Sequence, residues 1–313
     1  MSLSLRSLRY FVAAAETGSV TAAALASRVS QPSVSESLTQ LEADLRVQLF
    51  VRHHGRGLTL TAAGDRLLVQ ARNLLAHAAD VEKFAADMGS RTTGEVRVGC
   101  FVTLAPYVLP ALLGDIANAY PQLTVQHEED NQEELLERLR SGRLDLAVSY
   151  AYAISEEFEV EVLAELPPHV VLAAEHPFAR RRSISLKEVA GMPMVLLDLP
   201  LTRDYFLSLF RSVRVEPNIV HRTRSYEMVR AMVARGHGFS VLNAIPRNAT
   251  SYEGRKIVAV PIAETLPRTL VVCLRSKRVA PRPSVELFRE RVKAFFATEW
   301  PKLMQTRRTR RRD

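Results

Sequence analysis

The sequence is poor in cysteine and has no long apolar run, and each absence excludes a class of protein. Its only two cysteines, Cys100 and Cys273, are too few for a disulfide framework or a zinc site. Reduced thiols and a cytoplasmic location are therefore expected, with a bridge between the two as the alternative. Without an apolar stretch of about 18 residues no segment should span a bilayer, and the N-terminus has no signal-peptide cleavage site, so no membrane partner is expected.

Catalytic and metal-binding motifs are also missing. The sequence contains no GxSxG, Walker or GxGxxG motif, its histidines lack an H-x3-H spacing, and no titratable pair is set up for acid–base chemistry. An enzyme on an α/β scaffold is therefore disfavoured. No catalytic residue, metal ligand or cofactor is expected.

The net charge of +8 is concentrated at one end of the chain. The basic tail, residues 301–313, holds six Lys/Arg and one Asp, and so carries five of the eight excess positive charges. Disorder is expected there, with an auxiliary contact to DNA or an acidic partner as the alternative. A nucleic-acid function must therefore be argued from local pattern and not from overall charge.

A length of 313 residues predicts two or three domains. Residues 1–60 contain short helical patterns and a turn-rich HHGRGLTLT stretch. Residues 61–88 predict one helix about 42 Å long, capped by Thr61, with an apolar seam spaced alternately by four and three residues. The seam residues are Leu67, Ala71, Leu74, Ala78, Val81, Ala85 and Met88. A second copy of the chain should cover this seam, and packing of the helix on its own C-terminal domain is the alternative.

Beyond a glycine-bounded hinge, residues 89–94, strand-like runs alternate with helical ones up to about residue 300. This alternation predicts a mostly parallel sheet with flanking helices. About 200 residues of such pattern favour two α/β lobes.

The segment from Val20 to Glu42, VTAAALASRVSQPSVSESLTQLE, predicts two close helices. Ser30 stands at an N-cap position with Pro32 in the first turn of the second helix. The second helix has an apolar stripe and, opposite it, a small, polar face that would fit a DNA major groove. The stripe is Val34, Leu38, Leu41 and Leu45, and the polar face contains Ser33, Glu36, Gln40 and Ala43. An ordinary helical corner with a solvated face is the alternative.

The N-terminal pattern resembles the winged helix-turn-helix of LysR-type transcriptional regulators, and the remaining layout is similar to that family. The matching residues are Leu8, Phe11, Val12, Glu16, Gly18, Ser19, Ala22, Ala23, Leu25, Ser30, Gln31, Pro32, Ser33, Ser35, Leu38, Leu41, Glu42, Leu45, Leu49, Phe50, Arg52, Arg56, Leu60, Thr61, Ala63 and Gly64. The resemblance implies a winged helix-turn-helix over residues 1–60, a dimerising linker helix over 61–88, and a two-lobed, periplasmic-binding-protein-like effector domain over 95–300.

The resemblance also implies the DNA contacts. Residues from Gln31 to about 45 would form the recognition helix, and Arg52 and Arg56 would bind phosphates from the wing, which positions the protein without specifying sequence. The positions expected at DNA are Gln31, Pro32, Ser33, Ser35, Glu36, Gln40, Arg52 and Arg56.

Two residues depart from the family pattern. Glu36 stands where the family often carries Arg; phosphates repel its carboxylate, but it can accept from cytosine N4, so we expect it to shape base preference. Arg46 stands at a helix end where the family usually has Gly. Because a left-handed cap would be costly for Arg, a different cap is expected there.

In the effector domain the resemblance implies lobe I at about 95–164 and 269–300, and lobe II at about 165–268. A small metabolite would bind between the lobes near helix N-termini, which favour an anion, and an aromatic group could fit against Phe101. The candidate contacts are Phe101, Thr103, Pro200, Thr202, Arg203, Ser225 and Gly238. Alternatively, Phe101 belongs to the core, the two threonines are N-caps, and Arg203 pairs with a surface carboxylate.

These expectations describe a sequence-specific transcriptional regulator that is switched by a metabolite. Its partners would be promoter DNA, further copies of itself in a dimer or tetramer that bends DNA, and RNA polymerase. The alternative is a small-molecule-binding protein of the periplasmic-binding type without a DNA function.

Overall fold

A computed structural model describes residues 3–53, 57–86 and 93–304, apart from the side chains of residues 83–86. The helices are α1 Leu5–Thr17, α2 Val20–Ala26, α3 Gln31–Leu45, α4 Ala62–Ala86, α5 Ala105–Ala119, α6 Gln132–Arg140, α7 Leu186–Val189, α8 Thr202–Ser212, α9 Tyr226–Ala234, α10 Pro283–Thr298 and α11 Trp300–Leu303. The strands are β1 Phe50–His53, β2 Gly57–Leu60, β3 Gly94–Phe101, β4 Leu123–Asp130, β5 Leu146–Tyr150, β6 Phe158–Leu166, β7 His169–Ala173, β8 Pro193–Leu197, β9 Asn218–Thr223, β10 Ser240–Leu242, β11 Ile257–Pro261 and β12 Thr269–Ser276.

The first three helices pack around their own core, beside the hairpin of β1 and β2. The hydroxyl of Ser30 accepts from the backbone N–H of Ser33 at 3.4 Å and so caps α3, as the sequence predicts. The apolar stripe of α3 faces inward, with Val34, Leu38 and Leu41 each at most 3% exposed. This stripe packs with Leu8 and Phe11 of α1 in one apolar cluster.

The expectation for Arg46 is wrong, because this residue does adopt the left-handed conformation, with φ 53° and ψ 39°. The reversal lets the N–H of Val47 donate to the carbonyl of Glu42 at 3.1 Å, which closes the end of α3. The left-handed region costs a non-glycine residue about 1 kcal/mol. The hydrogen bond that closes the turn offsets part of that cost.

Helix α4 is capped by Thr61, whose hydroxyl accepts from the N–H of Gly64 at 3.0 Å. Its predicted seam divides into two parts. Ala71 is 1% exposed and lies in the N-terminal core together with Leu67, whereas Leu74 and Val81 are 44% and 56% exposed. The seam is therefore exposed only in part, because the N-terminal domain of the same chain covers the first residues of the seam. Ala78 is half-buried, and Ala85 and Met88 fall outside the described side chains.

The C-terminal region contains a five-stranded sheet in the order β4-β3-β5-β12-β6. Strands β3, β4 and β5 are parallel, but β12 runs antiparallel to both β5 and β6. A second, three-stranded sheet, β10-β7-β11, is antiparallel throughout, and β8 pairs with β9 in parallel. The expectation of a mostly parallel sheet holds only in part: β12 alone runs against the other four strands of the first sheet, whereas the three-stranded sheet is antiparallel.

Strand β6, FEVEVLAEL, was not predicted as a strand from the sequence. It lies at the edge of the five-stranded sheet, with β12 as its neighbour, and Val160 and Val162 are exposed. Its alternation of Glu and Val from 159 to 162 is a period-two pattern that indicates such a strand.

The chain passes between the two groups of strands twice, between β6 and β7 and again between β11 and β12. We call the part built on β3, β4, β5, β6 and β12 lobe I, and the part built on β7 to β11 lobe II. A continuous apolar cluster extends through both lobes.

The hinge and the basic tail are each described only in part. Residues 301–304 of the basic tail are ordered: Trp300 and Met304 are at most 2% exposed, and Met304 pairs with Pro246. In the hinge, Gly94 opens β3 at φ +134° and contacts Asp80 of α4, so this position is fixed against the linker helix. Residues 89–92 of the hinge and 305–313 of the tail lie outside the described residues.

Candidate functional site: DNA-binding surface and interlobe cavity

Helix α3 presents the predicted DNA-contacting face to solvent. The exposed positions are Gln31, Pro32, Ser33, Glu36 and Gln40, whereas Ser35 is half-buried. The Gln40 amide donates to Asp44 Oδ1 at 2.8 Å, so part of its hydrogen-bonding capacity is used within the helix. In the described part of the chain Glu36 has no hydrogen-bond partner, and its carboxylate is free to meet a ligand.

The wing is held beside α3 by a carboxylate. Glu42 Oε1 accepts from the backbone N–H groups of Leu49 and Phe50 at 2.7 and 3.1 Å. Arg52 at the wing lies 3.5 Å from the Thr39 hydroxyl, which brings it to the α3 surface. Arg56 falls outside the described residues. Glu42 is therefore a positioning residue, which the sequence indicates only as a family match.

Two glycines dock the wing on the first two helices. The N–H of Leu58 donates to the carbonyl of Gly18 at 2.7 Å. A Cβ at Gly57 would come within 2.4 Å of that same carbonyl oxygen, and its φ is +88°. Only glycine permits this approach, which holds the wing against the C-terminal end of α1.

A cavity of about 650 Å³ opens between the lobes. Lobe I contributes the start of α5, with Thr103 and Tyr107, and lobe II contributes the start of α9, with Ser225 and Tyr226. Helix α5 has no side-chain cap; Pro106 in its first turn carries no N–H, and the Tyr107 N–H donates to the Leu104 carbonyl at 3.0 Å, so this helix faces the cavity mainly with the positive end of its dipole. Two helix N-termini beside one cavity favour a negatively charged ligand group.

Charged side chains line the lobe II wall of this cavity. Arg230 is 3% exposed, and its Nη2 donates to the carbonyls of Asn248 and Thr250 at 2.9 and 2.7 Å. Its Nε lies 3.4 Å from a carboxylate oxygen of Glu227. Burial raises the pKa of Glu227, although the positive charge of Arg230 acts in the opposite direction. Arg224 is exposed at the rim. The lining therefore carries two guanidinium groups and one carboxylate.

A second space of about 10 Å³ lies deeper between the lobes. It shares Thr103 and Tyr226 with the larger cavity and is also lined by Tyr150, Tyr152 and Asn243. The Asn243 amide donates to Tyr152 Oη at 3.3 Å, and Thr103 lies 3.3 Å from Tyr150 Oη. Burial raises the pKa of both tyrosines, which therefore stay neutral. This space is polar but uncharged, and it is large enough for about one water molecule.

The predicted effector contacts divide among several locations. Thr103 and Ser225 line the larger cavity, and Thr103 and Thr202 line the smaller one. Phe101 is fully buried in the core, and Pro200 is half-buried beside Thr202, whose N–H donates to its carbonyl at 2.7 Å.

Arg203 and Gly238 have structural partners. The Arg203 guanidinium pairs with Asp198 and Asp204 at 3.1 and 3.3 Å, which is the surface arrangement left open as an alternative. A Cβ at Gly238 would lie 2.1 Å from the carbonyl oxygen of Pro193, so this glycine permits close approach of two chain segments. Neither residue lines the two cavities.

Several lining residues are missing from the sequence-based set. Tyr107, Tyr226 and Arg230 lie on helices, Tyr150 ends the buried strand β5, and Tyr152 follows it. The general rule that ligands bind at the carboxyl ends of strands would have indicated the last two. No local pattern separates the helical three from core residues.

The two cysteines lie in lobe I on the flanking strands of β5. Cys100 and Cys273 both register with Val148, one from each side, and are at most 4% exposed. Two strand spacings separate their Cα atoms by about 9.5 Å, which is too far for a disulfide. Burial raises the pKa of both thiols, that of Cys273 to about 12.

The described residues contain neither a metal-binding cluster nor a membrane-spanning helix. No group of three or more His, Cys, Asp or Glu side chains is placed to hold a metal ion. No helix there combines the length and apolarity needed to cross a membrane.

Comparisons with known proteins match both parts of this architecture. Residues 5–65 match the bacterial regulatory helix-turn-helix protein family model of the lysR family, and residues 89–297 match the LysR substrate binding domain model. The chain is 31% identical over 244 residues to a hydrogen peroxide-inducible genes activator of Pectobacterium carotovorum, spanning 78% of this chain and 80% of that protein.

Solved structures agree with these matches. The crystal structure of HinK, a LysR family transcriptional regulator from Pseudomonas aeruginosa, superposes with a TM-score of 0.63 and 35% identity, over 94% of this chain and 99% of that one. Full-length CbnR complexed with its target DNA superposes with a TM-score of 0.55 and 26% identity, over 94% and 100% of the two chains.

A winged helix-turn-helix joined by a long helix to a two-lobed ligand-binding domain defines a DNA-binding transcriptional regulator with an effector-binding domain. The chain belongs to the LysR family of transcriptional regulators. Membership in this regulator family rules out the reading as a small-molecule-binding protein without a DNA function.

Proposed function

We propose that the effector is a small anionic metabolite bound in the 650 Å³ cavity between the lobes, and that its binding changes how the regulator engages promoter DNA. The cavity itself is the observation that carries this proposal, because both lobes contribute to its walls. A ligand that touches both walls would bind one relative placement of the lobes better than another, and so would shift the population between them.

The charge of the lining supports an anion. Arg230 and Arg224 add positive charge to that of the two helix N-termini, and Glu227 is the opposing group. The tyrosines at positions 107, 226 and 252 provide aromatic surface for an apolar or aromatic part of the same ligand.

A thiol-based response to peroxide is not part of this proposal, although one relative's name refers to hydrogen peroxide. A reactive cysteine needs a thiolate and access to solvent. Cys100 and Cys273 have neither, since both are buried with raised thiol pKa values.

We further propose that the regulator binds DNA as a dimer or tetramer in the cytoplasm and that it acts with RNA polymerase. A dimer would place two copies of α3 on successive half-sites, as in other helix-turn-helix proteins. The exposed part of the α4 seam, Leu74 to Val81, is the surface that supports self-association.

Filling the cavity tests the effector proposal. Val102 is half-buried on the cavity wall, whereas Val160 is exposed on β6, away from it. A metabolite collection would be screened by thermal unfolding on the parent, on Val102→Trp and on the control Val160→Trp. Saturation at about 100 times Kd stabilises a protein by about 2.7 kcal/mol. Anions should raise the Tm of the parent and the control but not of Val102→Trp, and an anion that stabilises all three equally would contradict the proposed site.

A further inference from the structure

The linker helix α4 is docked on one lobe of its own effector domain. Gln70 donates to the carbonyl of Arg278 at 3.1 Å, and Arg72 Nη1 donates to the carbonyl of Ser141 at 2.6 Å. Within the described residues, the hydrogen bonds that Gln70, Arg72 and Asp80 make with the effector domain all reach lobe I.

Asp80 is the centre of the docked face. Its side chain is 13% exposed and accepts from Arg282 Nη1 at 2.6 Å, from the N–H of Glu95 at 3.1 Å and from the Ser284 hydroxyl at 3.3 Å. A Cβ at Gly94 would lie 2.7 Å from Asp80 Oδ1, so glycine is needed for the first strand of lobe I to approach the carboxylate. Asp80 is therefore fully partnered by lobe I.

Arg282 connects this carboxylate to the interior of lobe I. Its guanidinium is 5% exposed and divides between two partners, with Nη1 on Asp80 and Nη2 on Asp145 Oδ2 at 2.8 Å. Asp145, which is 4% exposed, also accepts from Arg97 Nη2 at 2.9 Å and from the Arg97 N–H at 2.8 Å. The cluster holds two arginines and two aspartates, so its charges balance only while Arg282 is in place.

A second arginine extends the connection to the DNA-binding domain. Arg72, which bonds to Ser141 in lobe I, also pairs through Nη2 with Glu16 of α1 at 2.9 Å. Helix α1 packs against α3 and α4 in the N-terminal core. Lobe I, α4 and the DNA-binding domain are thus joined through charged groups, of which Arg72 is buried and Glu16 is 51% exposed.

We propose that Arg282 is a coupling residue that holds α4 to lobe I, so that DNA binding and the conformation of lobe I are thermodynamically linked. A buried ion pair adds little net stability over an apolar contact, but it fixes which groups must face each other. Separation of α4 from lobe I would leave the Glu95 N–H and the Ser284 hydroxyl without their acceptor. The inference rests on DNA binding by the family domain and is independent of the proposed effector cavity.

Charge balance distinguishes this role from simple packing. The variant Arg282→Gln leaves Asp80 and Asp145 facing each other with Arg97 as the one remaining cation, so α4 and lobe I should repel. The double variant Asp80→Asn/Arg282→Gln restores neutrality and should regain part of the docking. Arg278→Gln is the matched control, because its side chain is 49% exposed and only its carbonyl meets α4.

Hydrogen exchange measured by mass spectrometry tests the link on the full chain, with and without an operator duplex selected from a random library. In the parent, saturating duplex should slow exchange in residues 94–101 and 144–150 by about fivefold or more, the low end of usual coupling factors. Arg282→Gln should bind the duplex without this change, the double variant should regain part of it, and Arg278→Gln should match the parent.

Three results would overturn the proposal. The first is that DNA does not slow exchange in the parent, and the second is that the slowing persists in Arg282→Gln. The third is that Arg282→Gln exchanges faster than the parent in residues 193–261 of lobe II by as much as in lobe I. If Arg282→Gln does not fold, Asp80→Asn carries the same test, because it leaves Arg282 paired with Asp145. Persistence of the DNA-linked slowing in Asp80→Asn would then count against the link.

Discussion

Glu36 is the side chain that we propose shapes the DNA preference of this chain. It is exposed on α3, opposite the buried stripe, and in the described part of the chain it has no hydrogen-bond partner. A carboxylate at that position is repelled by phosphates and attracted by the exocyclic amine of cytosine. Its contribution should therefore be to sequence preference and not to overall affinity.

Replacing Glu36 by alanine should relax base preference at one position of the operator, by about 1–3 kcal/mol of discrimination, the usual value of one good base contact. Affinity for unrelated DNA should rise slightly, because a negative charge is removed from the interface. Selection from a randomised operator library compares the variant with the parent. Asp65→Ala, with the same charge change at an exposed position in the first turn of α4, is the control. Identical preferences of Glu36→Ala and parent at every position would refute the role.

Helix α4 has three faces, of which two contact other parts of the chain and one is exposed. Leu68 and Ala71 pack in the N-terminal core, Arg72 and Asp80 meet lobe I, and a third stripe that includes Leu74 and Val81 is exposed. An amphipathic helix with a second apolar stripe left in water is typical of an element that a partner covers.

The double variant Leu74→Glu/Val81→Glu should dissociate the dimer, because two carboxylates would be buried against apolar groups of the partner helix. Each subunit should stay folded, since exposed substitutions usually change stability by less than about 0.5 kcal/mol. Analytical ultracentrifugation measures the mass, and circular dichroism checks the fold.

Ala79→Glu is the matched control, because Ala79 is exposed on another side of the same helix. It should leave the mass unchanged. A double variant that sediments like the parent would show that this stripe does not hold the subunits together.

At the level of the whole molecule, both thiols are enclosed in the centre of lobe I. Because burial raises the thiol pKa of Cys273 to about 12 and also that of Cys100, almost no thiolate exists near neutral pH. The native protein should therefore react with a thiol reagent only at the rate at which it unfolds.

Titration with a chromogenic disulfide reagent, with and without denaturant, measures this protection. Hydrogen peroxide should leave DNA binding unchanged in the parent and in Cys100→Ala/Cys273→Ala. Loss of DNA binding in the parent alone would show that a cysteine does sense peroxide.

The sequence by itself determined the elements whose signals are local. The cap at Ser30, the stripe from Val34 to Leu41 and the cap at Thr61 each depend on residues within one or two helical turns, and the structure confirms them. The family match followed from the same local pattern.

Only the tertiary structure decided which parts of those elements are used and how the strands run. The burial of Ala71 is imposed by the first domain, and the direction of β12 by the return of the chain between the lobes. The contacts of Arg282 with Asp80 and Asp145 join residues more than 130 positions apart. The cavity likewise joins α5 to α9. Local periodicity carries no information about such long-range contacts, because each depends on where the rest of the chain has already packed.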